Sequence, residues 1–115
     1  MDLSGKGLKT FEIDPKNNYN SVGEKKQMRS INLSLNSLVK LPSGLEKTLI
    51  YMNVSYNKLK SLTGIESCVN LKFLNVSGNQ LSSASNLIIL QSMRELIFSH
   101  NQLSVLKELG QLKNL

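Results

Sequence analysis

The feature that most constrains this chain is one asparagine that recurs at a nearly fixed interval. Asn36, Asn57, Asn79 and Asn101 are separated by 21, 22 and 22 residues. The segments leading to them read MRSINLSLNSL, LIYMNVSYNKL, LKFLNVSGNQL and MRELIFSHNQL. Each fits a single pattern, L-x-x-L-x-L-x-x-N-x-L, with Met, Ile, Val or Phe allowed for Leu. Tandem copies of one phrase mean tandem copies of one small unit, and no such unit can bury its apolar face alone. The chain must therefore stack coil upon coil.

Each part of the phrase has its own geometry. Alternation predicts a short strand, with Leu74 and Val76 facing one way and Phe73, Asn75 and Ser77 the other. The turn that follows leaves backbone amides and carbonyls beneath it. A buried asparagine amide both donates and accepts, so it is expected to satisfy those groups and others on the next coil. Leucine would fill the space without making the bonds. After the asparagine the apolar spacing changes to three: Leu59, Leu62, Ile65, Cys68 and Leu71, then Leu81, Ala84, Leu87, Leu90 and Met93, then Leu103, Leu106, Leu109, Leu112 and Leu115. That period predicts a 3₁₀ segment or a short, tight helix with one apolar ridge. The second unit carries Pro42 and Gly44 instead, which predicts an irregular return.

Repeats begin near residues 28, 49, 71 and 93 within a single domain spanning residues 1–115. An imperfect copy, MDLSGKGL, precedes them, with Met1, Leu3 and Leu8 at apolar positions and Lys6 where the asparagine should stand. Leu8 and Leu38 are 30 residues apart. The extra length falls at about 14–27, a polar, turn-rich stretch expected to form an exposed loop. Leu115 falls where a further repeat would open, and no polar capping unit follows. The chain is therefore expected to be the N-terminal part of a longer protein. Leu103, Leu106, Leu109 and Leu112 would then partly face water and favour self-association.

In its phrase and period the sequence resembles the leucine-rich repeat family over nearly its whole length. It is most similar to the intracellular subclass of 22-residue repeats, which includes the leucine-rich regulatory subunit of protein phosphatase 1, axonemal dynein light chain 1 and a leucine-rich spliceosomal protein. The resemblance implies an α/β solenoid wound as a right-handed superhelix. A parallel sheet would line the concave face, and short helical or 3₁₀ returns the convex one. It also implies contact with a protein partner rather than catalysis.

Composition narrows the function classes. The net charge is +6, but the 14 Lys and Arg residues are scattered along the chain, which fits a solvated basic surface better than a nucleic-acid site. An RNA-associated scaffold is the alternative reading. His100 is the only histidine, so neither a histidine metal site nor a His-containing triad can be assembled from this chain. The carboxylates show no catalytic pairing and there is no phosphate-binding loop. No enzyme activity, cofactor, metal or small-molecule substrate is expected. No apolar run is long enough to span a membrane, and the N-terminus lacks a secretory signal pattern. Cys68 is alone and lies on an apolar ridge. Asn32, Asn53 and Asn75 each fit the N-glycosylation pattern, but they fall mid-strand on the face expected to bind. A cytoplasmic location is expected, with cytoskeletal, ciliary or nuclear sites open.

The candidate binding residues come from strand positions that miss the core. Stacked coils align them in columns: Ser30, Tyr51, Phe73 and Glu95 at the strand start; Asn32, Asn53, Asn75 and Ile97; Ser34, Ser55, Ser77 and Ser99; and Leu35, Tyr56, Gly78 and His100 before each asparagine. Three of the six aromatics, Tyr51, Tyr56 and Phe73, fall on this surface. With Leu35, Ile97 and His100 they form the expected partner-binding set, since aromatics central to a groove anchor protein partners. The competing reading is that the rings stack on one another and simply cover the sheet.

Overall fold

The alternating phrase becomes four three-residue strands: β1 (Ser30–Asn32), β2 (Tyr51–Asn53), β3 (Phe73–Asn75) and β4 (Glu95–Ile97). In the computed structural model, which describes residues 1–13, 27–101 and 112, they form one parallel sheet in the order β1-β2-β3-β4. Pairing is in phrase register: Tyr51 lies opposite Ser30 and Phe73, and Glu95 opposite Phe73. The imperfect first copy joins the same sheet. Asp2 bridges Asn32 in parallel, and Leu3 N–H donates to the Asn32 carbonyl at 2.7 Å. A second bridge, Glu12 with Ser43, holds the end of that coil and buries Ile13.

The core sits between sheet and returns. Ile31, Met52 and Leu74 point inward from the strand centres, and Leu33, Val54 and Val76 follow two residues later; all are fully buried. The two described threefold ridges, Leu59 to Leu71 and Leu81 to Met93, are buried along their length. They carry 3₁₀ turns at Ile65–Ser67 and Ser85–Leu87, as a spacing of three requires. Asn86 ties these turns together, its Nδ2 donating to Glu66 Oε1 at 2.6 Å. The second return is a turn at Gly44 with φ 82. A Cβ there would lie 3.1 Å from the Ile13 carbonyl oxygen, so glycine answers both the conformation and the close approach. Cys68 is wholly buried, and loss of solvation, with a smaller push from the Glu66 carboxylate, raises its thiol to about 11.

The asparagines bridge coils in the direction opposite to that expected. Asn79 Nδ2 donates to the Val76 carbonyl of its own coil at 3.0 Å and to the Val54 carbonyl of the preceding coil at 3.0 Å. Its Oδ1 accepts the Leu59 N–H, also on the preceding coil, at 3.0 Å. Asn57 repeats the arrangement toward Leu33 and Leu38, Asn101 toward Val76 and Leu81, and Asn36 toward Leu3, Lys6 and Leu8. The strand pattern explains the direction. In a parallel ladder a residue's N–H and C=O point to the same neighbour. Leu33 N–H bonds the Asn53 carbonyl, so the Leu33 carbonyl also points at that coil, where β2 has ended. The Asn57 side chain supplies the missing donor.

The expected loop at about 14–27 lies, but for residue 27, outside the described residues. So do Leu103, Leu106, Leu109 and Leu115, and with them the expectation of an open, self-associating end. Leu112 is described, and it departs from expectation. It is buried within the core cluster rather than partly in water, facing inward as the earlier ridge residues do.

The ladder and the thiol each yield a test. Asn79→Ala leaves the buried Leu59 N–H unpaired and takes one of two donors from each of the Val54 and Val76 carbonyls, at about 1–3 kcal/mol for an orphaned buried group. Chemical denaturation should therefore show Asn79→Ala losing far more stability than Lys60→Ala at an exposed position. For Cys68, the raised folded pKa means its contribution is full below the unfolded value of 9.0 and is lost as pH rises toward about 11. Denaturation between those limits should show a decline that is smaller in Cys68→Ala, and the native thiol should resist labelling reagents at neutral pH.

Candidate functional site

The outer face of the sheet is built from columns one coil apart. Strand register sets the Tyr51 and Phe73 rings side by side, and they stack with centroids 4.6 Å apart and planes 4° from parallel. This spacing is that of neighbouring strands, so the column geometry creates the stack without further contacts. Both rings are half-buried. Exposed Ser30 and Glu95 continue the column at either end.

The next two columns act as one device. Asn53 Oδ1 accepts the Ser55 N–H at 3.0 Å and its hydroxyl at 2.7 Å. Asn32 with Ser34 and Asn75 with Ser77 make the same pair of bonds. Asp2 stands in for asparagine in the first copy and accepts from Ser4 in the same way. Those two bonds, backbone first, lower its pKa. The serine column, expected on the exposed surface, is instead largely buried: Ser34, Ser55 and Ser77 lie inside. Ser99 is exposed, because Ile97 replaces the asparagine and offers no acceptor. The signal was present in sequence as a repeated Asn-x-Ser, the spacing at which a side-chain oxygen caps a local turn.

The column before each ladder asparagine is uniform in conformation. Leu35, Tyr56, Gly78 and His100 have φ of 58, 55, 69 and 56. Gly5, at the same position of the first copy, has 64. The turn thus demands the left-handed region in every coil, a conformation costing a side-chain-bearing residue about 1–2 kcal/mol. Leu35 and Tyr56 are nevertheless 62% and 51% exposed, and His100 is exposed as well. Tyr56 is held in place by its neighbour, since a Cβ on Gly78 would fall 2.4 Å from the Tyr56 ring. The ring occupies the space that a side chain at Gly78 would need.

The six candidate residues thus separate into two groups. Tyr51 and Phe73 meet on the sheet. Leu35, Tyr56 and His100 line the rim where the strands end. Ile97 belongs to neither, being half-buried in β4 opposite Asn75. A further set went unnoticed in sequence. Arg29, Ile50, Lys72 and Arg94 form the column at which the chain enters the strands, each N–H after the first donating to the carbonyl before it at 2.8–2.9 Å. Among the described residues no cluster of His, Cys, Asp or Glu could hold a metal, and no helix is long and apolar enough to cross a membrane.

Comparison with known proteins agrees with this geometry. Residues 47–88 match the family described as leucine-rich repeats in two copies. No curated protein matches the chain with significance. Among solved structures, an internalin from Listeria monocytogenes superposes with a TM-score of 0.58 at 19% identity, covering 76% of this chain. The chain spans 33% of the internalin's length.

The rim gives a direct test of packing. Gly78→Ala should destabilise the protein by strain at positive φ and by displacing the Tyr56 ring. Adding Tyr56→Ala should recover the displacement but not the strain, so a double-mutant cycle should return a coupling of about 0.5–3 kcal/mol. Phrase, sheet and structural neighbour converge on one architecture: the chain folds as a leucine-rich repeat solenoid, with residues 47–88 matching the family's two-copy unit.

Proposed function

We propose that this protein is a non-catalytic scaffold that grips a protein partner across the outer face of its sheet. The Tyr51–Phe73 stack is the central anchor, and Leu35, Tyr56 and His100 are the contacts at the rim. The observation that carries this reading is the occupancy of the left-handed column. Gly5 and Gly78 show that glycine satisfies the turn, yet Leu35 and Tyr56 stand there, strained and about half or more exposed. Folding gains little from them. Strain retained at exposed side chains points to a binding role. An enzyme reading has no support from the described groups.

The 22-residue period motivates cytoplasmic adaptor roles of the phosphatase-regulatory or ciliary and microtubule-associated kind as the first to test. A lone buried thiol suits a reducing compartment. The RNA-associated alternative is less well supported. The two sheet aromatics turn their inner faces to each other, where a base would otherwise stack.

Affinity capture followed by mass spectrometry identifies the partner, and variants then test the face. The triple change Tyr51→Ala, Tyr56→Ala and Phe73→Ala should abolish capture, with individual hot-spot losses of about 2 kcal/mol. Leu35→Gly is the sharper variant. It should raise stability by about 1 kcal/mol through relief of strain while weakening binding. A triple variant that still binds its partner normally would refute the assignment of this face.

A further inference from the structure

The strand-entry edge gathers charges that are far apart in sequence. Arg29, Lys47 and Lys72 line one cavity of about 370 Å³. Arg29 and Lys47 come from the two ends of the coil that begins near residue 28 and Lys72 from the coil that begins near 71, and no carboxylate among the described residues lines the space. Its walls are fixed by bonds between coils. Thr48 Oγ donates to the Met28 carbonyl at 2.8 Å, and Asn70 Nδ2 donates to the Lys47 carbonyl at 2.9 Å. Arg29 donates to Gln27 Oε1 at 3.1 Å, a neutral partner. Ile50, half-buried, also lines the cavity. It sits in the entry column directly before Tyr51, as Lys72 does before Phe73, so the cavity lies at the edge where the strands bearing the aromatic stack begin.

We infer that this cavity receives an acidic segment of the protein partner, with carboxylates at Arg29, Lys47 and Lys72 and an apolar side chain on the Tyr51–Phe73 stack. The inference rests on the proposed binding face and adds the partner's chemistry to it. Charge complementarity supplies the occupant: three cations, with no carboxylate among the described lining residues, favour an anionic guest. Two features favour a peptide over nucleic acid. The two rings turn their inner faces to each other, so no base can insert between them, and Glu95 sits opposite Phe73 in the register, where it repels a continuous phosphate backbone. An acidic segment avoids that repulsion by keeping its carboxylates at the Arg29 side and a neutral or basic residue beside Glu95. The structure therefore orients the segment as well as selecting it.

The test uses fluorescence anisotropy with three labelled probes: a short peptide carrying a glutamate run followed by a tryptophan, the same peptide with lysine for glutamate, and a single-stranded oligouridylate. The glutamate probe should bind in preference to both others. Arg29→Glu or Lys72→Glu should weaken it about tenfold, as expected for losing one well-placed charge contact. Lys60→Glu makes the same change in net charge at an exposed site beyond the ladder, and should weaken it far less. Equal losses at Lys60 and Lys72 would mean that overall charge attracts the probe, and the cavity assignment would fall. Preference for the lysine peptide or the oligouridylate would overturn it too. Tyr51→Ala with Phe73→Ala separates the two levels. If this pair abolishes binding while Arg29→Glu and Lys72→Glu do not, the binding face stands and the acidic guest fails. If the aromatic pair has no effect while the charge changes do, the stack is not part of the site.

Discussion

A side-chain amide that reaches back one coil is the interaction on which the rest depends. Parallel strands of three residues are too short to satisfy all of their own backbone groups. Each strand ends with a carbonyl aimed at a neighbour whose strand has also ended. Asn57 and Asn79 fill that gap, donating to Leu33 and Val54 and accepting from Leu38 and Leu59. Because each asparagine bonds two coils at once, it sets their spacing and their register together. Register in turn places Tyr51 against Phe73 and Arg29 in line with Lys72. The exposed face is thus a consequence of a buried amide.

The same economy extends to the turn between strand and ladder. A left-handed residue is needed there in every coil, and the chain meets the need with glycine at two positions and with larger residues at three. The pairing of Gly78 with Tyr56 shows how the two solutions combine. The missing Cβ on one coil makes room for the ring of the coil before it. What would be simply a permissive residue in an isolated turn becomes, in a stack, the seat for an exposed aromatic.

The Asn-x-Ser pairs work beside the ladder and are local rather than between coils. Each closes within a single turn, as in Asn53 with Ser55. They stiffen the strand ends from the outer side, while the ladder holds them from within. Where Ile97 breaks the pair, Ser99 returns to solvent.

Stacked architecture, strand positions, the buried ridges and their 3₁₀ turns were legible in the sequence because each depends on local periodicity. An alternation of two, a spacing of three and a recurring asparagine are properties of adjacent residues. The direction of the asparagine bridges was not legible, since it depends on which coil each backbone carbonyl faces. Nor was the burial of Ser34, Ser55 and Ser77, which follows from a hydrogen bond whose partner looked like surface. Tyr51, Phe73 and Tyr56 could be assigned to one face by counting. Only the folded chain separated a stacked pair from a ring seated on Gly78, because that division depends on neighbours about 22 residues away. The basic cavity was hidden for the same reason. Arg29, Lys47 and Lys72 look scattered along the chain, and it is the winding of the coils that brings them to one edge.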